Sequence, residues 1–116
     1  MEVKIMNTLM KNVEFSKVLN LKELVSYQEG QVISRTLAQT PNANITLFSL
    51  DRNEGISKHI TAGDAMVQIL DGTAEITIDN NTFTVKEGES IIMPSNIPHS
   101  LQACERFKML LTVIKH

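Results

Sequence analysis

The chemistry open to this chain rests on few side chains. It has three histidines (His59, His99 and His116), one cysteine (Cys104), and 13 Asp and Glu against 11 Lys and Arg. A neutral imidazole donates through one ring nitrogen and accepts through the other, so a pair can orient a carbonyl or a carboxylate, or ligate a divalent metal. His116 ends the sequence and is set aside as a frayed position. Cys104 has no base beside it and lies near the start of an apolar segment, which predicts a buried, inert thiol rather than a nucleophile. Ser57 and Lys58 precede His59 in a stretch read as loop, with no partner to activate either. No Gly-x-Ser-x-Gly elbow or phosphate-cradling loop occurs, and Gly55, Gly63 and Gly72 are too widely spaced for a dinucleotide fingerprint.

The elements that must position these residues are mostly strands. Asn20 before LKELV, with Glu23 three residues on, predicts a short capped helix that ends before Gly30, with Leu21, Leu24 and Val25 on one face. From Gln31 the pattern has period 2. QVISRTLAQ, ANITLFSL, AMVQIL, AEITI, TFTV, SIIM and FKMLLTVI are short and rich in aliphatic and β-branched residues. Turn chemistry separates them, including Asp71-Gly72, Asp79-Asn80-Asn81 and Pro94 to Pro98. In the hairpin around Asp79-Asn80-Asn81, Ile76, Ile78, Phe83 and Val85 are expected to meet the core from one face. Roughly seven or eight strands at this spacing predict an all-β sandwich or barrel.

Two stretches carry a family resemblance. The first runs from Gly55 through His59, Thr61, Gly63, Asp64 and Ala65 to Gly72. The second runs from Gly88 through Pro94, Asn96, Pro98 and His99 to Ala103. In order and separation they resemble the two motifs of the cupin family: Gly, His-x-His, Glu and Gly, then Gly, Pro-x-Gly, His and Asn. The resemblance implies a cupin-type jelly-roll β-barrel of two antiparallel sheets with one short N-terminal helix. Residues 1–30 form an arm with that helix, and residues 31–116 form the barrel.

In this family the two histidines and the glutamate of the first motif, with the histidine of the second, point inward and hold a divalent metal. Position by position, His59 and His99 match two of these ligands. Thr61 stands at the second histidine, Ala65 at the glutamate, Asn96 at the glycine after the proline, and Ala103 at the terminal asparagine. Structural metal sites usually have four protein ligands and catalytic ones three, and two neutral imidazoles supply no negative charge. Asp64 is the one neighbouring carboxylate, a residue away from the register the resemblance assigns to Ala65. The resemblance therefore implies a pocket lined by His59, Thr61, Ala65, Met93, His99 and Met109, with His59 and His99 as its metal-ligand candidates. The metal is open between none and Fe, Mn, Ni or Zn. Met66 is weighed with Met93 and Met109 as soft lining against plain core filling. Without the resemblance, each histidine alone reads as structural, satisfied by backbone carbonyls or buried water.

Composition excludes several functions. A formal charge of −2 lacks the basic stripe that nucleic acid requires, and five aromatics with no Trp leave little for base stacking. No apolar run approaches the ~20 residues of a membrane span. A single cysteine fits a reducing cytoplasm. Two functions remain. One is a module binding a small, largely apolar or carboxylate-bearing molecule, anchored by His59, Thr61 and His99. The other is a metal-dependent enzyme of dioxygenase or isomerase type; a third possibility is a scaffold whose histidines are vestigial. Apolar Val3, Ile5, Leu9 and Val13 in the arm, together with the dimers common in the family, lead to the expectation of a homodimer.

Overall fold

The computed structural model describes residues 8–116. Eight strands follow one 3-10 turn among these residues: β1 Val32–Gln39, β2 Ala43–Leu50, β3 Gly55–His59, β4 Asp64–Ile78, β5 Asn81–Lys86, β6 Ser90–Met93, β7 His99–Gln102 and β8 Phe107–Ile114. All pairings are antiparallel. One sheet holds β1, β2, β8, β6 and the first half of β4. The other holds β3, β7, β5 and the second half of β4, so the long strand joins them into one curled barrel.

How β4 turns that corner differs from the expected Asp71-Gly72 turn. AMVQIL and AEITI are one strand with a bulge. Ile69 pairs with Met109 and Asp71 with Lys108, leaving Leu70 unopposed. Before the bulge Ala65, Val67 and Ile69 are buried; after it Ala74 and Ile76 are. The slip changes odd to even, so both halves present their apolar face to one core. Gly72 holds φ +76°, and a Cβ there would overlap the Arg106 carbonyl oxygen, so this corner requires glycine.

Three further expectations change. The helix is a single 3-10 turn, Leu21–Leu24, because Val25 is already extended (φ −130°, ψ 142°) and buries its side chain against the outer face of the β1/β2/β8 sheet. Asn20 caps no backbone group; its side-chain amide donates to Glu23 Oε1 at 3.2 Å. The stretch read as loop before His59 is β3. In the β4–β5 hairpin Ile76 and Val85 are buried, whereas Phe83 is 42% exposed.

The described part of the arm packs outside the barrel. Met10 bridges Ala38, Arg35 donates to Asn12 O and Leu24 O, and Ser49 Oγ donates to Ser26 O. Tyr27 donates to Asp71 Oδ2 at 2.5 Å, beneath Arg106 and Lys108. This outer layer buries Val25, Leu37 and Leu47; the main core around Phe107, Ile69 and Met109 lies between the sheets. Val3 and Ile5 lie outside the described residues.

Candidate functional site

His99 is placed by the turn before it. Pro94 ends β6, and Asn96 takes φ +64°, the left-handed conformation that glycine adopts freely and asparagine tolerates. The change from glycine at this motif position therefore keeps the backbone path. Asn96 N–H donates to Thr61 O, tying this turn to the end of β3, and Asp79 N–H holds Pro98 O. His99 then opens β7, 4% exposed, opposite Ile78 of β4.

His59 reaches the same place through an irregularity in β3. Gly55 pairs with Gln102 and Ile56 with Leu101, but His59 rather than Lys58 pairs with His99. One extra residue in β3 changes its parity. Ile56, His59 and Thr61 all line the interior, where strict alternation from Ile56 would have turned Lys58 inward and His59 out. Gly55 permits the close approach: a Cβ there would lie 2.8 Å from both Leu101 O and Gln102 Oε1.

The two rings meet at the mouth of a cavity of about 50 Å³. Nε2 of His59 lies 3.0 Å from Nε2 of His99, with ring centroids 4.2 Å apart and planes inclined at 69°. Each Nδ1 is held by a backbone carbonyl two residues back, His59 by Ser57 O at 2.8 Å and His99 by Ile97 O at 3.1 Å. A carbonyl only accepts, so an Nδ1 bonded to one carries a proton, and the contact between the two Nε2 atoms is a hydrogen bond only with a proton on one of them. Burial holds the His99 ring below the usual imidazole pKa, the Ile97 carbonyl opposes that shift, and the neighbouring His59 adds to it.

His59, Thr61, Ala65, Met93, His99 and Met109 all line this one cavity, completed by Ile56, Leu101, Leu111 and Val113. The last three follow from alternation, two or four residues beyond His99 and Met109; Ile56 depends on the bulge. Met66 is not among the lining residues, being one residue from Ala65 on the opposite face of β4. Asp64 likewise faces away. Its Oδ1 accepts from Ser95 N–H at 3.0 Å, and it borders a separate surface cleft with His116. Cys104 is exposed rather than buried, because it falls in the bend between β7 and β8; its thiol donates to Glu75 Oε1 at 3.0 Å.

The donor set can be tested against a divalent metal. Two imidazole nitrogens on one ion lie no more than about 4 Å apart, and backbone carbonyls on Nδ1 are the usual support for such ligands. The 3.0 Å separation meets the first condition, and Ser57 O and Ile97 O on the Nδ1 atoms meet the second. The other positions do not: Thr61 and Ala65 bring no anionic ligand, and among the described residues no three His, Cys, Asp or Glu side chains gather in ligating range.

The family description "Cupin domain" matches residues 46–114. A conserved protein of unknown function from Streptococcus pyogenes is similar in structure at a TM-score of 0.92 and 50% identity, over 94% of this chain and 96% of its own. A cupin superfamily protein from Desulfitobacterium hafniense gives 0.88 at 32% identity, over 92% and 98%. A cupin 2 conserved barrel domain protein from Leptotrichia buccalis gives 0.82 at 44%, over 84% of this chain and 47% of that one. A salicylate 1,2-dioxygenase from Pseudaminobacter salicylatoxidans, 17% identical at a TM-score of 0.66, shares the fold alone. No curated protein matches.

Proposed function

The chain belongs to the cupin family, and from that premise we propose that it is a binding module, holding a small molecule in the barrel cavity against the His59–His99 pair. The observation that carries this is the pair itself: two Nε2 atoms 3.0 Å apart, at the mouth of a hollow whose other walls are apolar except for Thr61. Small-ligand sites are commonly concave and apolar, with a few convergent polar groups. The cavity is far below the ~300–1,000 Å³ of a drug-sized site. Its occupant is therefore a molecule of a few heavy atoms, or the tip of a larger one extending past the exposed His59.

A screen of fragments of up to about six heavy atoms, read by the methyl resonances of Met93 and Met109, tests this. Hits should shift both resonances and lose that effect in His59→Leu. A screen with no hit on these methyls would overturn the binding reading.

A divalent-metal enzyme of dioxygenase or isomerase type is the second reading, favoured by the short separation and the carbonyl-held Nδ1 atoms. His59 and His99 would hold the ion, but the neutral, two-residue donor set does not fit a resident cofactor, and no reaction is derived through one. Elemental analysis of protein purified without chelator or metal-binding tag should find transition metal well below one per chain. A stoichiometric metal that vanishes in the His59→Ala, His99→Ala double variant would reverse the order of the two readings.

The exposed Cys104 thiol supports a reducing compartment, the cytoplasm. No helix among the described residues is long and apolar enough to cross a membrane. Exposed apolar residues on the arm support self-association as a homodimer.

A further inference from the structure

We infer that the part of the ligand held inside the barrel is a short alkyl chain of about three or four carbons, and that Met109 sets its length. The inference rests on the binding reading above. It gives the buried part of the occupant a chemical class and the site a specificity-determining residue.

Strand register places the polar side chains of the cavity together at one end. His59 and His99 pair with each other, and Thr61 O is tied by Asn96 N–H to the turn that leads into His99. Inward of them stand Ile56 and Leu101, a pair between β3 and β7, with Leu111 and Met109 of β8 opposite. Among the described residues, the side chains lining this depth offer no donor and only a weak thioether acceptor. A polar group pushed to that depth would lose its water with no partner in exchange. A methylene gains by leaving water.

Depth can be followed along β8. Val113 is level with Ala65 and Met93, at the end of β6 from which Pro94 starts the turn to His99. Leu111 lies two residues further in and is half-buried, and Met109 two further again, with no exposure. The next inward residue, Phe107, is fully buried and does not line the cavity; it packs into the main core with Leu50 and Ala74. Met109 is therefore the floor. Methionine is unbranched and fits irregular gaps, here between its strand neighbours Phe48 and Ile69. A single water occupies about 10–15 Å³, so the cavity of about 50 Å³ above this floor admits a chain of about three or four heavy atoms.

Straight alkan-1-ols from ethanol to octan-1-ol measure that length when titrated into the full chain and read by the Leu111 and Val113 methyl resonances. Each methylene that leaves water adds about fourfold in affinity, so binding should rise by that factor per carbon and level off by butan-1-ol. Met109→Ala deepens the cavity by about three heavy atoms and should carry the rise on to heptan-1-ol. Met109→Val, about one heavy atom smaller than the wild-type residue, should move the plateau by one carbon, and serves if the alanine variant does not fold. Met66→Ala, on the opposite face of β4, should leave the plateau where it is. A purely structural role for Met109 would weaken the fold without moving the chain length at which binding levels off. A rise continuing past pentan-1-ol in the wild type, or a plateau unmoved in a folded Met109 variant, overturns the inference and leaves the binding reading standing. No methyl shift with any of these alcohols overturns the inference together with the proposal that small molecules enter this cavity.

Discussion

At the scale of single residues, the two imidazoles differ in what surrounds them although they share a contact. His59 lies on the exposed rim, whereas His99 is buried, and burial disfavours its charged form. Its folded pKa is therefore below the unfolded value of about 6.5. Between those two values the unfolded chain binds the extra proton. The contribution of this residue to stability is thus fully present above about pH 6.5 and is lost as the pH falls through the depressed folded value. Urea unfolding at a series of pH values should show stability falling on acidification across that range, with a shallower slope in His99→Gln. An unchanged slope would mean that the ring is not desolvated. Cys104 shows the reverse case of an exposed group kept quiet: its bond to Glu75 holds the thiol pKa up, as does the charge of that carboxylate, so exposure alone does not make it nucleophilic.

At the scale of elements, two bulges do most of the positioning. The one at Leu70 lets β4 serve both sheets, and the one between Ile56 and His59 brings His59 level with His99. Gly72 is the residue without substitutes at the first. Gly72→Ala would combine a left-handed backbone with overlap on the Arg106 carbonyl, and should cost at least about 1–3 kcal/mol in chemical denaturation. Gly88→Ala, also at positive φ but with open space around it, isolates the backbone contribution and should cost less. Equal losses would show that the corner contact carries no energy. The sequence carries a visible trace of the β4 bulge, since Ala65, Val67 and Ile69 are odd-numbered and Ala74 and Ile76 even. Read locally, that break resembles the end of one strand and the start of another, because Asp-Gly is strong turn chemistry. Only the pairing of both halves with partners distant in sequence makes it a bulge.

At the scale of the whole molecule, the described part of the arm leaves several apolar side chains on the outer face of one sheet exposed. Leu9, Phe15 and Val18 are 73%, 57% and 98% exposed, and Phe15 borders an apolar trough of about 310 Å³ with Met10, Val13, Leu37 and Leu110. Apolar area concentrated in this way favours association. Light scattering at micromolar concentration should give a dimer mass, and Phe15→Asp with Val18→Asp should shift it toward the monomer without loss of fold. A wild-type monomer would remove the proposal.

The sequence by itself marked most of the strands, though not β3 or β7, and most of the turns between them, and through its two motifs it grouped His59 and His99 with Thr61, Ala65, Met93 and Met109. The strands follow from local propensity and period 2, and the grouping of the site residues from the resemblance to the cupin motifs. The tertiary structure alone decided which way Asp64 and Met66 face, that Cys104 is exposed, that β3 carries the parity change bringing His59 inward, and that each Nδ1 lies against a backbone carbonyl. Each depends on a partner far along the chain or on backbone direction at a bulge. One inserted residue reverses inside and outside for everything beyond it, and no local pattern records which ladder absorbs the slip.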